Sequence, residues 1–222
     1  MKPKRIILIR HGQSEGNADP DVYKVKPDYV LELSDKGLNQ AKEAGQELQH
    51  ILNNESMFFY VSPFWRARST FEQIVKHNHG DQYKFIEEPR LREQERGHLR
   101  ATEENKKIEN EQDAYGPFFF RFPGGESCAD VYDSVSDFFG TFHRDFEKEN
   151  FPENAVIITH GMTIKLFLMR WFHWNVEKFE SFANPENCQL VIMERDENGK
   201  YNLKSELKTH MVKHKYQRPV SG

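Results

Sequence analysis

Two stretches of the sequence place an imidazole directly after an apolar run and directly before a glycine. They are Ile6-Ile-Leu-Ile-Arg10-His11-Gly12 and Val156-Ile-Ile-Thr159-His160-Gly161. A strand fixes the backbone up to the imidazole, and Gly then permits a tight turn and the close approach of a ligand. Arg10 adjoins the first imidazole. A third apolar run, Phe58 to Ser62, leads to Arg66, and a fourth, Tyr83 to Glu87, leads to Arg90-Leu91-Arg92-Glu93. The segment Gln13-Ser14-Glu15-Gly16-Asn17 offers short polar side chains and N–H donors. Two imidazoles, two guanidinium groups and a carboxyl group suit a phosphoryl group. Such a group needs cations on its equatorial oxygens, an in-line nucleophile and an acid for the leaving oxygen. Either His alone reads more readily as a satisfied core or rim residue, and the ordered set carries the chemistry.

The elements that must position these groups follow from hydrophobic periodicity. Arg5 to Ile9 reads as a strand buried on both faces. Residues 13–33 read as a loop with Pro20 and Pro27, and Ser34 or Asp35 caps a helix to about Asn53. Its apolar face carries Leu38, Ala41, Leu48, Ile51 and Leu52. Pro63 opens a helix with Ala67, Phe71 and Ile74. Residues 98–125 read as an inserted lid, with a charged, helical first part and the run Phe118 to Phe122 packed onto the core. Ser127 begins a long helix to about Asn150, with Val131, Val135, Phe138, Phe142 and Phe146 on one face. Ala155 to Thr159 is a strand, and a helix runs from Gly161 through Trp171. Gln189 to Glu194 and Tyr201 to Leu207 pair as a hairpin, where Asn198-Gly199 supplies φ > 0 positions. Strands alternating with helices predict a three-layer α/β/α sandwich, largely parallel with an antiparallel edge. Residues 1–222 are expected to form one domain carrying the lid, with the site at the carboxyl ends of the strands.

The chain has 222 residues and a formal net charge of −4 from 31 basic and 35 acidic residues. That balance gives no basic field for nucleic acid or a membrane surface. Cys128 and Cys188 are the two cysteines; they make no disulfide framework and point to a reducing, cytoplasmic setting. Ile6 to Ile9 is too short a run for a signal segment, and no run approaches a membrane span. Arg68 reads as a salt-bridge partner on a helix surface. Arg92 and Arg96 either meet substrate or pair with Glu95. His210 and His214 would share a helix face, but without a third ligand nearby a metal site there is disfavoured. His98 and His173 carry no functional assignment.

The motifs taken together resemble the histidine phosphatase, or phosphoglycerate-mutase-like, superfamily across nearly the whole chain. Arg10-His11-Gly12, Asn17, Leu33-Ser34 through Ala41, Ser62-Pro63 with Arg66, Ala67 and Thr70, Leu91-Arg92-Glu93 with Gly97, Phe122 to Ser127 and Thr159-His160-Gly161 stand in the family's order. Arg90 to Gln94, Phe119 to Ser127, Asp130 to Tyr132 and Leu166 to Trp174 look most like the fungal and plant mutase-like acid phosphatases. The resemblance implies that His11 forms a phosphohistidine. Arg10, Arg66 and a protonated His160 would neutralise the phosphoryl oxygens, with Asn17, Ser14, Gly161 and backbone N–H groups adding hydrogen bonds. Glu93 would act as acid and then as base. No metal or cofactor is implied, because the cationic side chains do the electrostatic work. The expected partner is a small phosphorylated substrate, and a homo-oligomer is left open. A phosphoglycerate mutase, a sugar-bisphosphatase and a non-catalytic phospho-ligand adaptor are the alternatives. Arg96 and Glu104 stand where cofactor-dependent mutases carry Tyr and Lys, which disfavours mutase activity.

Overall fold

A computed structural model describes residues 2–78, 83–97 and 102–210. Its sheet has six strands in the order β3-β2-β4-β1-β5-β6. These are β1 (Arg5–Arg10), β2 (Met57–Val61), β3 (Tyr83–Glu87), β4 (Asn154–Thr159), β5 (Leu190–Arg195) and β6 (Tyr201–Leu203). The first four are mutually parallel, and β5 and β6 form the antiparallel edge. In β1, Ile6, Ile7, Leu8 and Ile9 are all fully buried, as is the whole of Ala155 to Ile158 in β4. Both strands lie inside the sheet with helices over each face, which is why their sequences are apolar throughout rather than alternating.

Helices α2 (Asp35–Leu52) and α3 (Trp65–Asn78) cover one face, packing against Ile7, Ile9, Phe59 and Ile158. Helices α5 (Cys128–Phe146), α6 (Gly161–Phe172) and α7 (Val176–Ser181) cover the other, against Ile6, Leu8, Tyr60 and Ile157. The face of α5 from Val131 to Phe146 is buried as the periodicity required. Ser127 caps this helix through a reciprocal bond pair with Asp130, and Ser34 caps α2. The Tyr60 hydroxyl donates to Asp145 at 2.8 Å and the Tyr201 hydroxyl to the Pro3 carbonyl at 2.5 Å, so these polar ends of the aromatic core are satisfied.

Several sequence expectations are corrected. Segment 13–33 is not a plain loop: it contains α1 (Glu15–Ala18) and two 3-10 helices, Pro20–Lys24 and Asp28–Val30. Ser14 and Asn17 close a capping box around α1, a pattern too short to carry a periodic signal. Leu38 is 36% exposed, because the buried face of α2 is made of Gly37, Ala41, Ala44, Gly45, Leu48 and Leu52, and Leu38 lies off it. In the hairpin only Gly199 has φ > 0, at 80°. Asp196 and Lys200 close the loop and the Asp196 carboxylate accepts from the N–H of Asn198 and Lys200, so Asn198 is not needed in the left-handed region. Strand β6 ends at Leu203, after which the Ser205 hydroxyl bonds to β5 in place of backbone pairing. In the expected lid, α4 spans Thr102–Tyr115, Phe118 and Phe122 are buried and Phe119 is 61% exposed.

The start of α2 touches the loop after β1 so closely that neither glycine there tolerates a side chain. A Cβ on Gly37 would lie 2.1 Å from the Gln13 carbonyl oxygen, and one on Gly12 2.5 Å from that of Gly37. Gly37→Ala is therefore expected to lower unfolding stability by about 1–3 kcal/mol, read from urea denaturation. Gly140→Ala, whose Cβ would meet only the Arg144 guanidinium at 3.5 Å, is the control expected to be stable or better.

Candidate active site

The parallel strands β1, β4 and β2 end side by side, and the ladder runs on one residue past each. His11 N–H donates to the Thr159 carbonyl, Ser62 N–H to that of Ile158, and Glu88 N–H to that of Val61. This continuation brings His11, His160 and Ser62 to one edge. The His11 and His160 rings lie 5.1 Å apart, edge to face. Their joint placement follows from strand register, which no single motif encodes.

His11 is held in one orientation. Its Nδ1 lies 2.7 Å from its neighbour Gly12's carbonyl oxygen, which can only accept, so Nδ1 carries the proton and Nε2 the lone pair. Arg66 Nε donates to that Nε2 at 3.2 Å. The Arg66 Nη groups donate to the carboxylate and backbone carbonyl of Asp28. Burial, then Arg66 and Arg10, push the His11 pKa well below its ordinary value. A neutral imidazole with a free lone pair is the form a nucleophile requires.

His160 is fully buried, packed between His11 and the Phe64 ring. Its Nε2 lies 2.7 Å from Ser62 Oγ, and Ser62 Oγ also accepts from the Phe64 N–H. Burial, Arg66, His11 and Arg10 depress the His160 pKa well below its usual range. A phosphoryl anion placed against the ring would work in the opposite direction, so the charge expected of His160 belongs to the complex with substrate.

Buried polar atoms without a hydrogen-bond partner among the described residues include Arg10 Nε and His160 Nδ1. Arg10 Nε is an N–H donor at this strand edge and lines the cavity; His160, fully buried, lies behind His11 and Phe64 and does not line it. Arg10 is otherwise anchored by an Nη bond to the Pro185 carbonyl at 2.7 Å.

Glu93 reaches the same cavity, of about 810 Å³, which Arg10, His11, Asn17, Arg66 and Arg96 also line. Burial raises the Glu93 pKa above its ordinary value, against the opposing pull of Arg66 and of a bond from the Gln94 N–H. Its segment is fixed on both sides: Thr159 and Thr163 hydroxyls donate to the Leu91 and Arg92 carbonyls, and Glu126 clasps Arg92 and the Glu95 N–H. Arg92 therefore pairs with Glu126 and not with Glu95. Arg96 makes no ion pair among the described residues and lies over the Phe122 ring at 5.3 Å. Arg68 pairs with Glu87, as expected of a surface guanidinium.

Two expected ligand-binding positions sit elsewhere. The Ser14 side chain is buried in the α1 capping box and does not line the cavity. Gly161 begins α6 behind the cavity wall, where a Cβ would meet Asn184 at 3.1 Å and Arg10 Nε at 3.4 Å; its role is to admit those two neighbours. Conversely, Asp28, Tyr23 and Asn187 were not singled out by sequence reasoning, and Ser62 entered only as part of a motif, with no role of its own. Asn187 donates to the His11 carbonyl at 2.9 Å and lies 3.3 Å from Asn17 Oδ1. Nothing in spacing announces a partner from so distant a loop. His98 and His214, and the side chain of Glu104, lie outside the described residues.

Residues 6–206 match the model of the histidine phosphatase superfamily, branch 1. The chain belongs to that superfamily. It is an enzyme of the family, and its curated relatives span both of the family's chemistries. It is 41% identical over 216 residues to "Phosphoglycerate mutase-like protein AT74" of Arabidopsis thaliana, covering 91% of this chain and 68% of the relative. It is 30% identical to the "Broad-range acid phosphatase DET1" of Saccharomyces cerevisiae, covering 93% of this chain and 90% of the relative. Among solved structures, a mycobacterial glucosyl-3-phosphoglycerate phosphatase with VO3 superposes with a TM-score of 0.70 at 18% identity, over 91% of this chain and 98% of that one. At that identity the match speaks to the fold.

If His11 reacts as a neutral base and Glu93 as an acid, their opposed shifts define a pH window: activity is expected to rise as His11 loses its proton, below the usual histidine value, and to fall as Glu93 loses its proton, above the usual carboxyl value. The kcat/KM profile for an alkyl phosphate, whose leaving group needs a proton, is therefore expected to be an acidic bell, and Glu93→Gln to remove its alkaline limb.

Proposed function

We propose that this protein hydrolyses phosphate monoesters through a phosphohistidine on His11, with Glu93 as general acid and then general base. The observation that carries the reading is the pairing, in one cavity, of an imidazole locked with its Nε2 lone pair beside Arg66 and a carboxyl group whose pKa burial raises. The resemblance to a broad-range acid phosphatase along most of both chains supports hydrolysis as the outcome.

In this mechanism the substrate's phosphoryl group seats against His11 Nε2. Arg10 Nε, without another acceptor, donates to its oxygens, and Arg66 supplies charge. The His11 lone pair forms the N–P bond while the ester O–P bond breaks. Glu93 gives its proton to the departing alkoxide, which leaves as an alcohol. The carboxylate now left on Glu93 takes a proton from water, whose oxygen attacks phosphorus and displaces His11. Inorganic phosphate departs and Glu93 is protonated again. A carboxyl group with a raised pKa performs both halves near the same pH. Preorganised donors stabilise the transition-state charge in the dry site.

Two measurements test the assignment. Brief mixing with phosphate-labelled substrate is expected to leave a protein label that survives base and is lost in acid, as a phosphoramidate does. His11→Ala should abolish the label; a label that persists in His11→Ala, or that resists acid, places the nucleophile elsewhere.

The second measurement separates hydrolysis from phosphoryl isomerisation. With 3-phosphoglycerate and 2,3-bisphosphoglycerate, release of free phosphate is expected to exceed formation of 2-phosphoglycerate. An excess of isomer over phosphate by about tenfold, a barrier difference of about 1.4 kcal/mol, would instead make the protein a mutase.

A further inference from the structure

Arg66 has five N–H donors, and four bonds from them are already made inside the protein. Nε donates to His11 Nε2 at 3.2 Å. One Nη donates to the backbone oxygen of Asp28 at 2.7 Å and to its Oδ1 at 2.9 Å, and the other to its Oδ2 at 3.1 Å. The guanidinium side chain is 4% exposed and the Asp28 side chain 27%. Asp28 opens the one-turn helix Asp28–Val30, in a segment that holds Val25 and Tyr29 out to solvent. The neighbouring lysines do not compensate its charge, since Lys24 is tied to Asp21 and Lys26 to Glu15.

Two consequences follow. The fork of Arg66 holds a carboxylate in the two-point geometry that it would otherwise offer to two phosphoryl oxygens. The lone pair with which His11 must attack also accepts a hydrogen bond from the same guanidinium. A phosphoryl group binding at His11 must therefore draw Arg66 from the nucleophile and from Asp28. A dianion gains from that exchange, because it replaces one negative charge by two. A monoanion merely substitutes for Asp28 and gains nothing.

We propose that Asp28 is a specificity-determining residue: a resident carboxylate that competes for Arg66, admits dianionic phosphate monoesters and turns away monoanionic esters of the same shape. When a dianion binds, the segment around Asp28 is released from Arg66. The inference rests on the reading of Arg66 as a phosphoryl ligand and adds a competitor for it.

Asp28→Asn keeps the shape and removes the charge; Asp28→Ser is the second variant should the first fold poorly by circular dichroism. With the competitor weakened, KM for p-nitrophenyl phosphate is expected to fall severalfold. Ki for p-nitrophenyl sulfate, a monoanion of matching shape, falls by more, so the preference between the two shrinks by roughly tenfold, the scale of one charged hydrogen bond. In the parent protein, inorganic phosphate should speed trypsin cleavage after Lys24; the bond after Lys26 is closed to trypsin by Pro27. In the variant, cleavage should be fast without phosphate. A variant with lower kcat, unchanged KM and an unchanged sulfate preference would overturn the proposal and make Asp28 a positioning residue for Arg66. Equal calorimetric affinity for phosphate in parent and variant would likewise sink it while leaving the phosphatase reading intact. If neither protein binds phosphate, the assignment of Arg66 to the phosphoryl group fails with it.

Discussion

Cations crowded into a dry pocket repel one another, and much of the local structure exists to hold them there. Arg10 and Arg66 stand beside two imidazoles whose rings are 5.1 Å apart. Two unit charges at about that distance repel by about 3 kcal/mol at an effective dielectric of about 20. Burial first, and these charges second, lower the pKa of both imidazoles. The guanidinium groups are tied down: Arg10 to the Pro185 carbonyl, Arg66 to the Asp28 carboxylate and against the Phe64 ring. Gly161 lets the Arg10 head sit close behind α6, and the contact of Gly12 with Gly37 fixes where the chain turns after His11. In the proposed reading an incoming phosphoryl anion relieves this crowding of charge.

How far this was legible in the sequence depends on whether a signal is local. The buried strands showed as continuous β-branched runs, and α3 and α5 as stripes at helical spacing, because packing against one face imposes both patterns. The convergence of His11, Arg66, Glu93 and His160 could be argued from strand ends alone, since a parallel sheet collects its carboxyl termini on one edge. The resemblance supplied the roles that geometry could not. What escaped was of another kind. Segment 13–33 is held by a capping box, two short 3-10 helices and side-chain bonds, none of which leaves a period. Leu38 was misplaced because the first turns of α2 bury small residues, Gly37, Ala41, Ala44 and Gly45, rather than large ones.

The charge of His160 shows what residue type and position leave open. They point to a cation for the phosphoryl group, and the residue stands at that strand end. Its proton affinity is set by neighbours: full burial, then Arg66, His11 and Arg10, lower it. An incoming anion works in the opposite direction, so the charge is a property of the whole cluster and not of one residue. Ser62, from a separate strand, bonds the ring through Nε2 and fixes its direction.

The two walls of the site are built differently. Glu93 rides on a segment bonded to β4 and α6 through Thr159 and Thr163 and to residues 122–126 through Glu126. Gly97, at φ 70°, packs so closely on the Pro123 carbonyl that a Cβ would lie 2.2 Å away. In the proposed cycle the group that gives a proton must later take one at the same phosphorus, and one fixed position serves both steps. The opposite wall, residues 20–30, is short helices and exposed side chains, tied to the site by the Asp28–Arg66 contact and to α1 by the Lys26–Glu15 pair. The proposed exchange of Asp28 for a substrate phosphoryl group acts on this wall, so the two requirements of that cycle, a fixed proton carrier and a displaceable anion, fall on different segments of the chain.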